Sequence, residues 1–251
     1  MARDAMSVFD PTIGYLVISA GVFAGAVVSG LAGFAFSAVA GAILLHVLPP
    51  IEAVPLMMAC SLVPQVVSFV ALRGRVKWRG NPVLIAGGAL GVVPALYLLH
   101  CVDAQLFRIG FGAFLAAYAV CMLSRPATAY LRQAHCRWRE AAVGFGGGLV
   151  GGLTAMPGAL PVIWCDLRGM PKDQQRGMVQ PYIVAMQLFA LALMLSRNEL
   201  STKALMDLTM SMPALAAGTA LGIALFGKVD EAWFRRIVLA ILLVAGLFLA
   251  L

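Results

Sequence analysis

"GFGGGLVGGLTAMPGALPVIWCDLRGMP" runs from Gly144 to Pro171 and places eight glycines and three prolines inside an otherwise apolar run. Apolar length puts such a stretch in a membrane, whereas glycine and proline interrupt helices. Backbone N–H and C=O groups cannot face lipid unpaired, so a broken helix at membrane depth belongs where protein or a water-filled cavity surrounds it. The break is expected at "TAMPGAL", Thr154 to Leu160, where a Pro-Gly pair does more than thin a helix.

The remainder of the chain supports a membrane setting. Apolar residues make up 62% of the sequence and charged residues 12%, with a mean hydropathy of +0.94, which leaves little to solvate a globular surface. Apolar segments are expected near 12–31, 33–48, 51–72, 82–99 and 104–123, then near 141–156, 158–167, 177–196, 204–226 and 232–251. The fold class is therefore an all-α integral membrane protein of eight to ten helical segments in one transport domain, 1–251. Ile13 onward is read as the first span rather than as a cleaved leader. The five cysteines show no CxxC spacing and read as small apolar residues.

Five segments are followed by five, and the two sets share sequence. "VDAQLFR", Val102 to Arg108, and "VDEAWFR", Val229 to Arg235, each precede the last span of a half. Gly30 and Leu31 match Gly152 and Leu153, Pro49 matches Pro171, and Gln65 matches Gln187, all at an offset of 122. The repeats are placed at 12–123 and 141–251, with a cytoplasmic linker over 124–140. With an odd number of crossings in each half, 14 of the 18 Lys and Arg residues fall in the loops 73–80, 124–140, 165–177 and 227–236, on one side. The positive-inside rule then favours two inverted copies, with both termini outside the cytoplasm. The basic residues thus report topology, and no nucleic-acid partner is expected despite a net charge of +7.

Inverted repeats with discontinuous helices are a transporter architecture, with the substrate near the midplane where the breaks meet. A helix restarting inside the membrane offers backbone N–H groups and its dipole to an anion without a buried cation. In the first copy the break is expected at "GLAGFAFSAVAG", Gly30 to Gly41. The candidate substrate-binding residues are Gly30, Gly33, Ser37 and Gln65 in the first copy, and Gly152, Thr154, Pro157, Gly158, Gln180 and Gln187 in the second. Gln65 and Gln187 stand out because an amide inside a span must bond another helix, water or substrate. Gly21, Gly25, Gly144 and Gly148 read instead as close helix contacts. Arg176 is either a topology anchor or a cytoplasmic gate that receives anions through its guanidinium.

No ionisable residue falls at the centre of an expected span; Glu52, Asp166 and Asp207 lie near span ends. A carboxylate proton relay is not visible, which points to a facilitator, a channel-like path or coupling through a proton carried by the substrate. No GxSxG, HExxH or paired buried carboxylates are present, so no enzyme, cofactor or metal site is expected. A non-transporting membrane subunit or assembly factor is the competing reading.

These Gly-rich hairpins, each followed by a short apolar stretch and an "LPP" or "GMP" turn, resemble the sulfite exporter TauE/SafE family. The most specific stretch is "GGLTAMPGALPVIWCDLRGMPKDQQRGMVQPY", Gly151 to Tyr182, which is similar to the second-half signature of one branch. The resemblance implies a small permease of the bacterial inner membrane for sulfite or organosulfonates, hence a small oxyanion as substrate. By position it places the family's hairpin on Gly151, Gly152, Pro157 and Gly158, and its following segment on Lys172, Gln175, Arg176 and Gln180. The first half, "GLAGFAFS", departs from the usual glycine cluster, so the half-sites are expected to be unequal.

Overall fold

The computed structural model describes residues 11–32, 35–71, 81–123, 137–225 and 231–250. They form ten helices and no strand: α1 (Pro11–Ala32), α2 (Phe36–Val47), α3 (Pro50–Ala71), α4 (Pro82–Cys101) and α5 (Ala104–Leu123), then α6 (Arg137–Thr154), α7 (Ala159–Leu167), α8 (Lys172–Ser196), α9 (Thr202–Leu225) and α10 (Glu231–Ala250). Six of them, α1, α3, α4, α5, α8 and α9, are long and apolar enough to cross a membrane.

Local sequence sets the helix boundaries. Pro82 opens α4, where a missing N–H costs nothing, and the Asn81 side chain accepts from the Val83 and Leu84 N–H groups at 3.1 and 3.3 Å. Asp103 caps α5 in the same way, accepting from Gln105 N–H at 2.8 Å. α6 and α8 start earlier than their apolar content suggests, at Arg137 and Lys172, because their first turns are polar and extend beyond the apolar stretch.

Glycine decides the packing. α4 lies along α6, and α1 along α9. A Cβ at Gly87 or Gly91 of α4 would strike the carbonyls of Ala141 or Phe145 in α6, and one at Gly144 or Gly148 of α6 would strike those of Leu84 or Gly88. The α1–α9 seam repeats this arrangement, with Gly218 and Gly222 against the carbonyls of Phe23 and Val27. Partner numbers rise together in both seams, so each pair of helices runs parallel. Gly21 and Gly25 seat α2 antiparallel on α1, against Ile43 and Phe36 respectively. Backbone-to-backbone approach is how membrane helices gain dispersion energy where lipid removes the hydrophobic drive.

Polar contacts gather at the two ends of the bundle. At one end Glu140 accepts from Asn81 at 2.9 Å and from Arg168 at 3.2 Å, while Gln175 donates to Asp166 at 3.0 Å. At the other, Lys203 bonds Glu52 at 2.9 Å, and His100 lies 3.7 Å from Glu199. α4 connects the two ends, with Asn81 at its start and His100 at its finish. The 73–80 loop and most of the 124–140 linker lie outside the described residues.

Candidate functional site

Both expected breaks are present, and both turn on an alanine in the left-handed region. Ala35, immediately before α2, has φ 77°, and Ala155, immediately after α6, has φ 56°. A side chain in that conformation costs about 1–3 kcal/mol, a strain that persists where surrounding structure fixes it and that clusters at functional sites. After Ala155 the chain passes through Met156, Pro157 and Gly158 and restarts as α7. Gly151 permits this reversal, because a Cβ there would lie 2.5 Å from that of Pro157.

The two breaks are tied to each other. Ser37, in the first turn of α2, donates its hydroxyl to the Ala155 carbonyl at 2.8 Å, a bond between residues 118 apart in sequence. That carbonyl lies at a buried residue with left-handed backbone, so the hydroxyl meets a need as well as bridging the halves. Ser37→Ala is expected to destabilise the protein by about 1–3 kcal/mol, the cost of an unsatisfied buried acceptor. A thermal-shift measurement in detergent tests this, and an unchanged midpoint would mean that the bond carries no weight.

Around this contact lies a cavity of about 30 Å³, room for about two waters. Ala35, Phe36 and Ser37 line it from the first break, and Ala155, Met156, Pro157, Gly158 and Ala159 from the second. Gln65 and Ser61 reach it from α3, Gln187 and Ile183 from α8, and Tyr118 from α5. Gln65 and Gln187 share the offset of 122 residues, as do Ser61 and Ile183. Both pairs at that offset thus line the one cavity, with an amide matched by an amide and a hydroxyl by a hydrocarbon. The Gln187 side-chain oxygen is buried with no hydrogen-bond partner among the described residues. No described lining residue carries a formal charge, so the polarity there comes from amides, hydroxyls and the first turns of two helices.

Of the residues expected from sequence, the cavity collects Ser37, Gln65, Pro157, Gly158 and Gln187. Gly30 instead touches Gly222 of α9, and Gly152 touches Ala95 of α4, so both sit in the helix seams. Thr154 bonds back to the Val150 carbonyl at 2.7 Å and does not line the cavity. Gln180 is buried elsewhere on α8, and neither its amide nitrogen nor its oxygen has a partner among the described residues. Gly33 lies outside the described residues. Arg176 is half-buried near the start of α8, close in sequence to Gln175 and its Asp166 partner. Tyr118, Met156 and Ile183 were not singled out in the sequence; only the offset from Ser61 could have pointed to Ile183.

Asp207 lies near the start of its span, in the second turn of α9, as its place in the sequence indicates; there it is buried, 1% exposed.

Comparison with known proteins bears on the whole architecture. No curated protein and no solved structure matches the chain. The model of one family, sulfite exporter TauE/SafE, matches residues 17–249, which include every helix of the cavity. The chain is a multi-pass membrane protein and belongs to the sulfite exporter TauE/SafE family of transporters.

Proposed function

We propose that this protein moves a small oxyanion, sulfite or an organosulfonate, across the bacterial inner membrane through the cavity between two inverted repeats. One observation carries the proposal: both helix breaks and both repeat-mate glutamines line a single cavity that has no charged side chain among its described lining residues. Helix N-termini and neutral donors suit an anion that must enter and leave, because they attract charge without a cation to trap it. With room for about two waters the cavity is smaller than a sulfite or a sulfonate head, so it must widen to admit the anion, and further for a longer organic tail.

The helix contacts support the inverted arrangement. α1 packs on α9 and its mate α6 packs on α4, the mate of α9, while α5 packs on its own mate α10. α1 runs parallel to α9, and α6 runs parallel to α4. His100 at the end of α4 meets Glu199 just before α9, so α4 and α9 point oppositely, and α1 and α6 do too. The end holding Glu140 and Arg168 is assigned to the cytoplasm by its basic loops, and both termini to the periplasm.

Proteoliposomes test the function. Saturable uptake of sulfite or a sulfonate such as sulfoacetate, competed by the unlabelled anion, is the expected result. Correctly folded protein that moves neither these nor sulfate would sink the proposal. Single cysteines in the 73–80 and 197–203 loops, placed in a cysteine-less background, test the topology. Membrane-impermeant reagent should label only the second from outside; equal labelling of both rules out the inverted repeat.

A further inference from the structure

α9 buries an acid that the cavity does not use. Asp207 is 1% exposed, and neither of its carboxyl oxygens has a hydrogen-bond partner among the described residues. Ser211, one turn further on the same face, is also 1% exposed, and its hydroxyl likewise lacks a partner there. An ionised carboxylate without donors in an apolar surround is costly, and a bound proton removes that charge.

Among the described residues, few groups can answer that charge. The helices packed along α9 are α1 and α3. α1 contributes no acidic or basic side chain, and its one tyrosine, Tyr15, is 41% exposed. α3 contributes Glu52 as its single charged residue, together with the buried Cys60. On α9 itself Lys203 stands one turn before Asp207. Among the described residues Lys203 and Glu52 are the charges that act on Asp207, and they are bonded to each other at 2.9 Å, holding the start of α9 to the start of α3.

We propose that Asp207 is a proton-binding site through which anion movement is coupled to the proton gradient, an inference that rests on the transport function above. With the proton bound, Lys203 stays on Glu52 and the clasp between α3 and α9 is closed. Release of the proton creates a buried anion that draws Lys203 back by one turn and loosens the clasp. α3 carries Ser61 and Gln65 into the cavity and contains Pro55 and Pro64, which interrupt its hydrogen-bond ladder and let it bend. Proton and anion thereby act on one helix, the condition for coupling two sites. The proton moves from one aqueous side to the carboxyl and leaves to the other, with no other chemistry required.

Two measurements on the purified protein test this. In proteoliposomes, the wild type is expected both to exchange labelled for unlabelled sulfite without a gradient and to accumulate sulfite under an imposed pH gradient. Asp207 does not line the cavity, so Asp207→Asn is expected to retain exchange and lose gradient-driven accumulation. Accumulation persisting in that variant, or following a sodium gradient instead, overturns the proposal. Infrared difference spectra across a pH titration provide a readout independent of transport. The wild type should show a protonated-carboxyl band that is absent in Asp207→Asn; the same band in both proteins overturns the assignment. If the asparagine variant fails to fold, Ser211→Ala is expected to shift that band, and an unshifted band places the proton on another acid. Absence of exchange by the wild type would overturn the transport function and the coupling with it, while the infrared band still decides whether Asp207 holds a proton.

Discussion

Gly148→Leu is expected to prevent α4 and α6 from seating, with a loss of stability of about 3 kcal/mol or more. A Cβ at 148 would already lie 2.7 Å from the Gly88 carbonyl carbon and 2.8 Å from its Cα, as well as striking the carbonyl oxygen. These are backbone atoms, so no rotamer change relieves the clash and the helices must separate along their seam. Separation forfeits the close contacts that hold membrane helices together. It also moves α6, whose C-terminal end carries Ala155 and the second break into the cavity. Gly110→Leu is the matched control, because a Cβ there meets nothing within 4 Å. Thermal unfolding in detergent should separate the two variants clearly. A Gly148→Leu protein that melts with the wild type would mean that the α4–α6 contact is far looser than described.

The second large effect falls on transport. Gln65→Ala and Gln187→Ala are each expected to lower flux about 10- to 100-fold, corresponding to one hydrogen bond to a charged group at about 1.5–3 kcal/mol. Gln65→Glu and Gln187→Glu should be more severe, since a carboxylate in the cavity repels an anion already held without a cation. Gln180→Ala separates this account from a general effect of buried amides. It removes the same group from the same helix as Gln187, yet Gln180 does not line the cavity, and its flux should stay near wild type. Equal losses in Gln180→Ala and Gln187→Ala, with equal loss of folded protein, would mean that the glutamines serve packing. Wild-type flux in both Gln65→Ala and Gln187→Ala would remove them from the site.

The site was partly legible in the sequence because its parts carry chemistry that hydrophobic helices otherwise avoid. An amide in the middle of an apolar span, repeated 122 residues later, needs a partner, and Gln65 and Gln187 both reach the cavity. Pro157 and Gly158 likewise mark a break that no continuous helix would tolerate. The glycines were harder to separate. Gly30 and Gly152 have the same composition and depth as a substrate-facing glycine would, but they face Gly222 and Ala95. Glycine announces that something comes close, and it does not say whether that is a ligand or another helix.

Sequence by itself determined the membrane setting, the ten segments nearly to their ends, the two interruptions and the uneven distribution of charge, since all of these follow from composition and order along the chain. Tertiary structure alone decided that α4 runs with α6 and α1 with α9, that Ser37 reaches across to Ala155, and that Asp207, near the end of its span, is buried. The physical reason is that lipid and protein neighbours are equally apolar: hydropathy records that a helix face avoids water, and only the fold determines whether lipid or another helix covers it.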